Sequence, residues 1–374
     1  AEALKNNQTQ DDAFIVKQLK ENGALILGKA NLSEWAYFFC EDCPSGYSAM
    51  GGQTLNPYGR KILDTGGSSS GSAVGVAANF APVAVGTETS GSILSPSSQN
   101  SLVGLKPTVG VLSRGGIVPI SSTLDTPGPI AKTVLDDAIL FSAMTGKDPK
   151  DAATAKNPSV NKDYYSAIKN SSIKGKRFGA IKGLMKDSLY VRALQDLKDA
   201  GAQIVEFDAD KIDLPNFTRL LNLDMKKDLP AYFKDYGAVN YKSVNDVVKY
   251  NEQDSTSRAP YGQALLLGVV NDSADNATYK AIKDTLMQNG RKFFDVPMSK
   301  YSLDGILSIN NYHAGFAAVA QYPAITVPMG YAENNAPEGL TFIGKPFQEQ
   351  ELLKWAYNYE KSSKRRKSPE NYQD

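Results

Sequence analysis

The chain has 374 residues, with 41 Lys+Arg against 40 Asp+Glu and a formal net charge of +1. A balance this close to zero argues against nucleic acid or an anionic membrane as the main partner. No run of about 18 apolar residues suggests a membrane span, and no signal-like segment is visible, so a cytoplasmic location is expected.

Taken in order, Asp11 to Asn22 reads as a short amphipathic helix. Phe14, Ile15 and Leu19 share a face, and Gly23 is placed to end it. Ala24 to Leu27 reads as a short buried strand. Asn31 and Glu34 have capping-box spacing for a following helix. The only two cysteines form Cys40-Glu41-Asp42-Cys43. A zinc site needs about four ligands, and the only histidine is His313. The pair is therefore read as two incidental thiols, with no metal site.

Gly46 to Thr65 reads as loop, Ser72 to Asn79 as a tightly packed helix, and Pro82 to Val85 as a strand. Thr133 with Asp136 marks a helix start running to about Thr145. Gly146 to Lys174 is a polar excursion, and Phe178 to Asp208 reads as strand, helix, strand. Residues 215 to 300 look mostly helical. Ile306 to Ser308, Ala324 to Val327 and Leu340 to Ile343 are short strands, and Gln348 to Tyr359 is the last helix. The basic run Lys364 to Lys367 reads as a solvated tail. Alternating strands and helices indicate an α/β fold with much of the sheet buried.

Two glycine-flanked serine turns carry the chemistry: Gly66-Gly67-Ser68-Ser69-Ser70-Gly71 and Gly86-Thr87-Glu88-Thr89-Ser90-Gly91-Ser92. Glycine brings backbone N–H groups close to a ligand, and serine supplies a hydroxyl that a base can activate. A flexible linker fits poorly, because an apolar stretch follows each turn. A phosphate cradle fits poorly too, since no Gly-Lys-Ser/Thr follows the glycines. Gly67-Ser68-Ser69-Ser70-Gly71 satisfies GxSxG, the nucleophile elbow of α/β-hydrolases. That reading needs His313 as base and a firm strand before the elbow, where Gly59 to Asp64 is weak.

GGSSSGSAVGVAA, GTETSGSI and VGLKPTVG, followed by DTPGPI and YPAITVP, resemble the blocks of the amidase signature family in order and spacing. NLSEWA, GGQTLNPYG and LSRGGIVPIS resemble its peptide amidase branch. The resemblance implies an α/β amidase-signature fold, a mixed central β-sheet covered by helices on both faces. It implies a single domain over 1–374, with a core over 11–146 and 302–360 and a more variable 147–301 shaping the substrate site.

It also implies a Ser–cis-Ser–Lys triad with no cofactor. Ser92 matches the nucleophile and Ser68 the bridging serine, with a cis Gly67–Ser68 peptide. Ser69 supports them, and the backbone N–H groups of Thr89, Ser90, Gly91 and Ser92 form the oxyanion hole. The expected substrate is a small or peptide amide, including C-terminal carboxamides. Pocket residues are expected from Tyr47 to Tyr58 and from 210–300. The family's lysine belongs to a V-K-D-N-like block that does not occur in this sequence, so an N-terminal segment bearing it is expected to be missing. Lys5, Lys17 and Lys29 lie in the wrong context. There are two alternatives. One is the amidase-type component of a glutamyl-tRNA amidotransferase complex, which usually has arginine where Leu94 stands. The other is an inactive amidase fold kept for binding.

Overall fold

The computed structural model describes residues 1–158, 163–237 and 240–370. Thr133 starts one of the clearest helices. Its hydroxyl accepts the Asp136 N–H at 3.1 Å, satisfying one of the free donors of the first turn.

The strands in chain order are β1 (Tyr47–Ser48), β2 (Gly52–Gln53), β3 (Val83–Glu88), β4 (Val103–Lys106), β5 (Thr126–Ala131), β6 (Arg177–Ile181), β7 (Gln203–Phe207), β8 (Gly305–Ile309), β9 (Ala324–Tyr331) and β10 (Pro337–Ile343). The helices are α1 (Phe14–Glu21), α2 (Ser70–Ala77), α3 (Leu94–Gln99), α4 (Val134–Met144), α5 (Ser188–Asp199), α6 (Phe217–Tyr236), α7 (Val244–Glu252), α8 (Ser255–Arg258), α9 (Ala264–Asn271), α10 (Asn276–Lys300), α11 (Ala314–Ala320) and α12 (Glu349–Ser363).

β1 and β2 form a small hairpin, and the other strands form one sheet in the order β3-β5-β4-β9-β10-β8-β6-β7. β6 pairs in parallel with β7 and β8; the remaining pairings are antiparallel, so the sheet is mixed. Residues 177–207 supply two of its strands.

The sheet is apolar on both faces, as the period of two along each strand requires. Leu307, Ile309, Ile325, Val327, Leu340 and Phe342 pack into one cluster with residues of α1, α4, α5 and α12. Ile306, Ala324 and Ile343 point the other way, into a cluster with α10 and α11. Helices therefore cover both faces. A further cluster joins α6, α7, α9 and α10 to Trp35, Phe38 and Phe39.

Several expectations need correction. Ala24 to Leu27 is neither a strand nor buried: Leu25 is 84% and Leu27 68% exposed. Apolar composition alone does not make a strand, because the ladder needs a neighbour to bond. Asn31 caps no helix. Its amide reaches the carbonyls of Gly46 and Gly52, each at 3.1 Å, and a 3-10 turn with Trp35 and Ala36 at positive φ follows it. Cys40 and Cys43 are buried and joined as a disulfide rather than free.

The basic run is docked, not a free tail. Arg365 binds Asp196 through two nitrogens, Nη2 at 2.7 Å and Nε at 3.1 Å, and Arg366 donates to the Ser101 carbonyl at 3.1 Å. Strands β4 and β5 escape a reading from sequence, because Gly104, Pro127 and Pro129 look like turn residues. Both prolines fall where β5 is paired with β3 and not with β4, so a missing N–H breaks little of the ladder. Part of the polar excursion, residues 159–162, lies outside the described residues. Among the described residues, no helix is long and apolar enough to cross a membrane.

Candidate active site

The two serine turns meet beside the edge strand β3. The first leads into α2, and the second joins β3 to α3. Ser69 N–H donates to the Ser92 carbonyl at 3.2 Å, tying one turn to the other. The Gly67–Ser68 peptide is cis, as the resemblance implies. Gly66 and Gly91 are both required by geometry. Gly66 has φ +66°, and a Cβ there would lie 2.7 Å from the Pro96 backbone. Gly91 has φ +84°, and its Cβ would lie 2.8 Å from Asn311 Nδ2.

The three serines of the first turn have different fates. Ser70 Oγ donates to the Gly66 carbonyl at 2.5 Å, an internal brace. Ser69 Oγ donates to the Thr87 carbonyl at 3.1 Å and accepts the Thr87 N–H at 3.0 Å. Its hydroxyl is committed to the β3 backbone, so it supports the turn. Ser68 is fully buried, and its Oγ has no hydrogen-bond partner among the described residues. The hydrogen bond from Ser92 Oγ to Ser68 Oγ is thus not formed in this structure. Ser92 is half-buried at the open end of the second turn.

The second turn is held from two sides. Thr89 Oγ1 donates to Asp125 Oδ1 at 2.6 Å, and Asp125 Oδ2 accepts the N–H groups of Ile120 and Ser121, each at 2.8 Å. Burial pushes the Asp125 carboxyl up to about 6. Glu88 Oε2 accepts Ile93 N–H at 2.8 Å and Leu94 N–H at 3.0 Å. Burial raises the Glu88 carboxyl, while the charge of Lys106 and these N–H groups pull it down. Lys106 is itself fully buried, and burial lowers its ammonium to about 8 against the pull of Glu88 and Glu349. Asn311, Glu88 and Asp125 had no assigned role from sequence. A lone Asn in a loop gives no signal there, and the acidic residue inside a Gly-Thr-Glu-Thr turn reads as surface charge.

His313 does not serve either serine turn. Its Nδ1 pairs with Ser308 Oγ at 2.6 Å, and its ring stacks on Phe293 with centroids 5.3 Å apart. Burial lowers it to about 4. The unfolded chain therefore binds this proton more tightly, and stability from this group is present above about pH 6.5. It is lost as pH falls from about 6.5 to about 4, by at most about 3 kcal/mol. His313→Gln is expected to remove that slope in urea titrations while leaving turnover per folded molecule within about threefold.

A cleft of about 680 Å³ is lined by Arg114, Asp125, Lys150, Asp228, Tyr232 and Tyr236, among others. A smaller crevice shares Arg114, Ile117 and Asp125 with it and includes Thr87, Glu88 and Thr89. Among the described residues of the two regions expected to form the pocket, those of α6 line this cleft. Tyr47 instead packs edge-on against Tyr261 at 5.0 Å, and Tyr58 OH donates to the Lys367 carbonyl at 2.5 Å.

Residues 1–308 match the family model described as Amidase. The chain belongs to the amidase family, and its class of chemistry is amide hydrolysis. The Arabidopsis thaliana protein named "Probable amidase" is 36% identical over 98% of this chain and 73% of its own length. A glutamyl-tRNA(Gln) amidotransferase component of Ruminiclostridium cellulolyticum is 33% identical over 93% of this chain and 76% of its own. Among solved structures, an amidase family protein from Bacillus anthracis is 41% identical with a TM-score of 0.95, covering 99% of this chain and 74% of that one. The native peptide amidase of Stenotrophomonas maltophilia is 37% identical with a TM-score of 0.90, covering 96% and 78%.

Proposed function

We propose that this chain cleaves amides through a seryl acyl-enzyme, with peptide C-terminal carboxamides as the substrate class. Ser92 Oγ attacks the amide carbonyl carbon. Its proton passes to Ser68, which hands its own proton to a neutral lysine. The tetrahedral oxyanion sits against the backbone N–H groups of the Thr89–Ser92 turn, each such donor contributing about 3–4 kcal/mol in the transition state. The relay then runs in reverse: the C–N bond breaks as Ser68 protonates the departing amine. Water repeats the sequence on the acyl-Ser92 ester, releasing the acid and restoring both hydroxyls.

The observation that carries this reading is Ser68 Oγ, fully buried and unpartnered beside a turn tied to Ser92. A buried hydroxyl without a partner costs about 1–3 kcal/mol of stability, so its presence calls for an explanation. No V-K-D-N block lies between Ala1 and Asp374. Lys5 and Lys17 pair with Glu2 and Glu21, and Lys29 is exposed. In this reading the lysine belongs to a segment like those in the relatives, of whose lengths this chain spans about three quarters. The chain 1–374 is taken as one domain, because residues 177–207 complete the same sheet as 83–131 and 305–343.

The likeness to peptide amidase supports the substrate class. Leu94, buried as the first residue of α3, stands where the amidotransferase branch usually has arginine. The test is incubation of the lysine-bearing protein with a dipeptide amide. Conversion to the free acid with one equivalent of ammonia is expected. Inertness toward peptide amides, with glutamine hydrolysed only in a copurifying complex, would instead establish the amidotransferase reading.

A further inference from the structure

We propose that Glu88 is a positioning residue that sets the oxyanion turn. The inference rests on the amide-hydrolysis reading of Ser92 and deepens it.

Glu88 is the last residue of β3, 1% exposed. Its Oε2 receives the Ile93 and Leu94 N–H groups. A carboxylate on the residue before the Thr89–Ser92 turn thus holds the two N–H groups that follow it. These N–H groups would otherwise be among the free donors at the start of α3. With them fixed inward, the chain between Glu88 and Ile93 has little freedom to turn, and the remaining N–H groups of the loop are held toward the open side. Preset donors of this kind stabilise charge that develops in the transition state without reorganising during the reaction.

A buried carboxylate is tolerable only if its charge is met. Lys106, at the end of β4, is fully buried and attracts both Glu88 and Glu349. Its Nζ donates to the Tyr322 carbonyl at 2.7 Å, and Glu349 Oε1 accepts the Thr108 N–H at 2.7 Å. Lys106 thus ties the end of β4 to the segment after α11, and Glu349 ties the start of α12 to Thr108. Among the described residues Glu88 Oε1 has no hydrogen-bond partner, and the residue lines the crevice behind the turn. Only one of its two oxygens is thus spent on the turn.

The test uses the protein in which Ser92→Ala abolishes turnover, so failure of the amidase reading is recognised first. Glu88→Gln is expected to lower kcat by about ten- to a hundredfold with KM within about twofold, since the lost alignment is felt mainly in the transition state. The inhibition constant of a peptide aldehyde, whose adduct with Ser92 carries the oxyanion, should rise in the same proportion. Binding of the matching peptide alcohol should not change. A merely structural role would not separate these two ligands.

If Glu88→Gln does not fold, Glu88→Gln/Lys106→Met removes both buried charges together and carries the same measurement. Either folded variant with wild-type kcat and wild-type aldehyde affinity would overturn the proposal. Parallel loss of aldehyde and alcohol binding would overturn it as well.

Discussion

Ser92→Ala is expected to lower turnover of peptide amides by about 10⁴-fold or more, because removing a covalent nucleophile leaves only binding and the oxyanion turn. The fold should be unaffected. Ser92 is half-buried at the mouth of its turn, and the tie from Ser69 N–H goes to its carbonyl, which alanine keeps. KM should change little, because the hydroxyl acts in the transition state rather than in ground-state binding. The comparison is steady-state kinetics beside thermal unfolding of the same preparations. Residual turnover within tenfold of the wild type, with folding intact, would remove Ser92 from the mechanism.

Ser68→Ala separates activity from stability in a way few substitutions do. Its hydroxyl is fully buried and has no partner among the described residues, so the folded chain bears its desolvation without a compensating bond. Removing it should leave the stability of residues 1–374 unchanged or raise it by about 1 kcal/mol. Where the lysine is present, the same change should lower kcat by about 10³-fold or more, since Ser92 loses its route for the proton. The pairing of higher stability with lost function is the trade-off expected of a polar group kept for chemistry. Denaturant midpoints on residues 1–374, set beside kinetics on the lysine-bearing protein, give both numbers. A clear loss of stability in residues 1–374 would mean that Ser68 Oγ is bonded after all.

Much of the fold was legible because its periodicity is strong. Thr133 to Thr145 carries its own cap, and Phe178 to Asp208 alternates cleanly between strand and helix. The failures were places where long-range context decides. Ala24 to Leu27 looks like a buried strand but has nothing to pair with, whereas Thr126 to Ala131 looks like a turn and becomes a strand, β5. Local composition cannot tell these apart, since a strand exists only through its neighbour.

The site was legible as a pattern and not as a geometry. Glycines and serines at this spacing could be read directly, and so could the weakness of GxSxG around Ser69 as a nucleophile elbow. That Ser69 is occupied by Thr87, that Ser68 has no partner among the described residues, and that Glu88 and Lys106 are both buried are facts of packing between distant segments. Sequence spacing carries no trace of them.

The most direct test of the account is chemical labelling. The protein is treated with a fluorophosphonate, digested, and the modified peptide sequenced by mass spectrometry. The account expects a single adduct on Ser92, absent in Ser92→Ala and strongly slowed in Ser68→Ala. An adduct on Ser69, or one on Ser92 that forms at an unchanged rate when Ser68 is alanine, would contradict it.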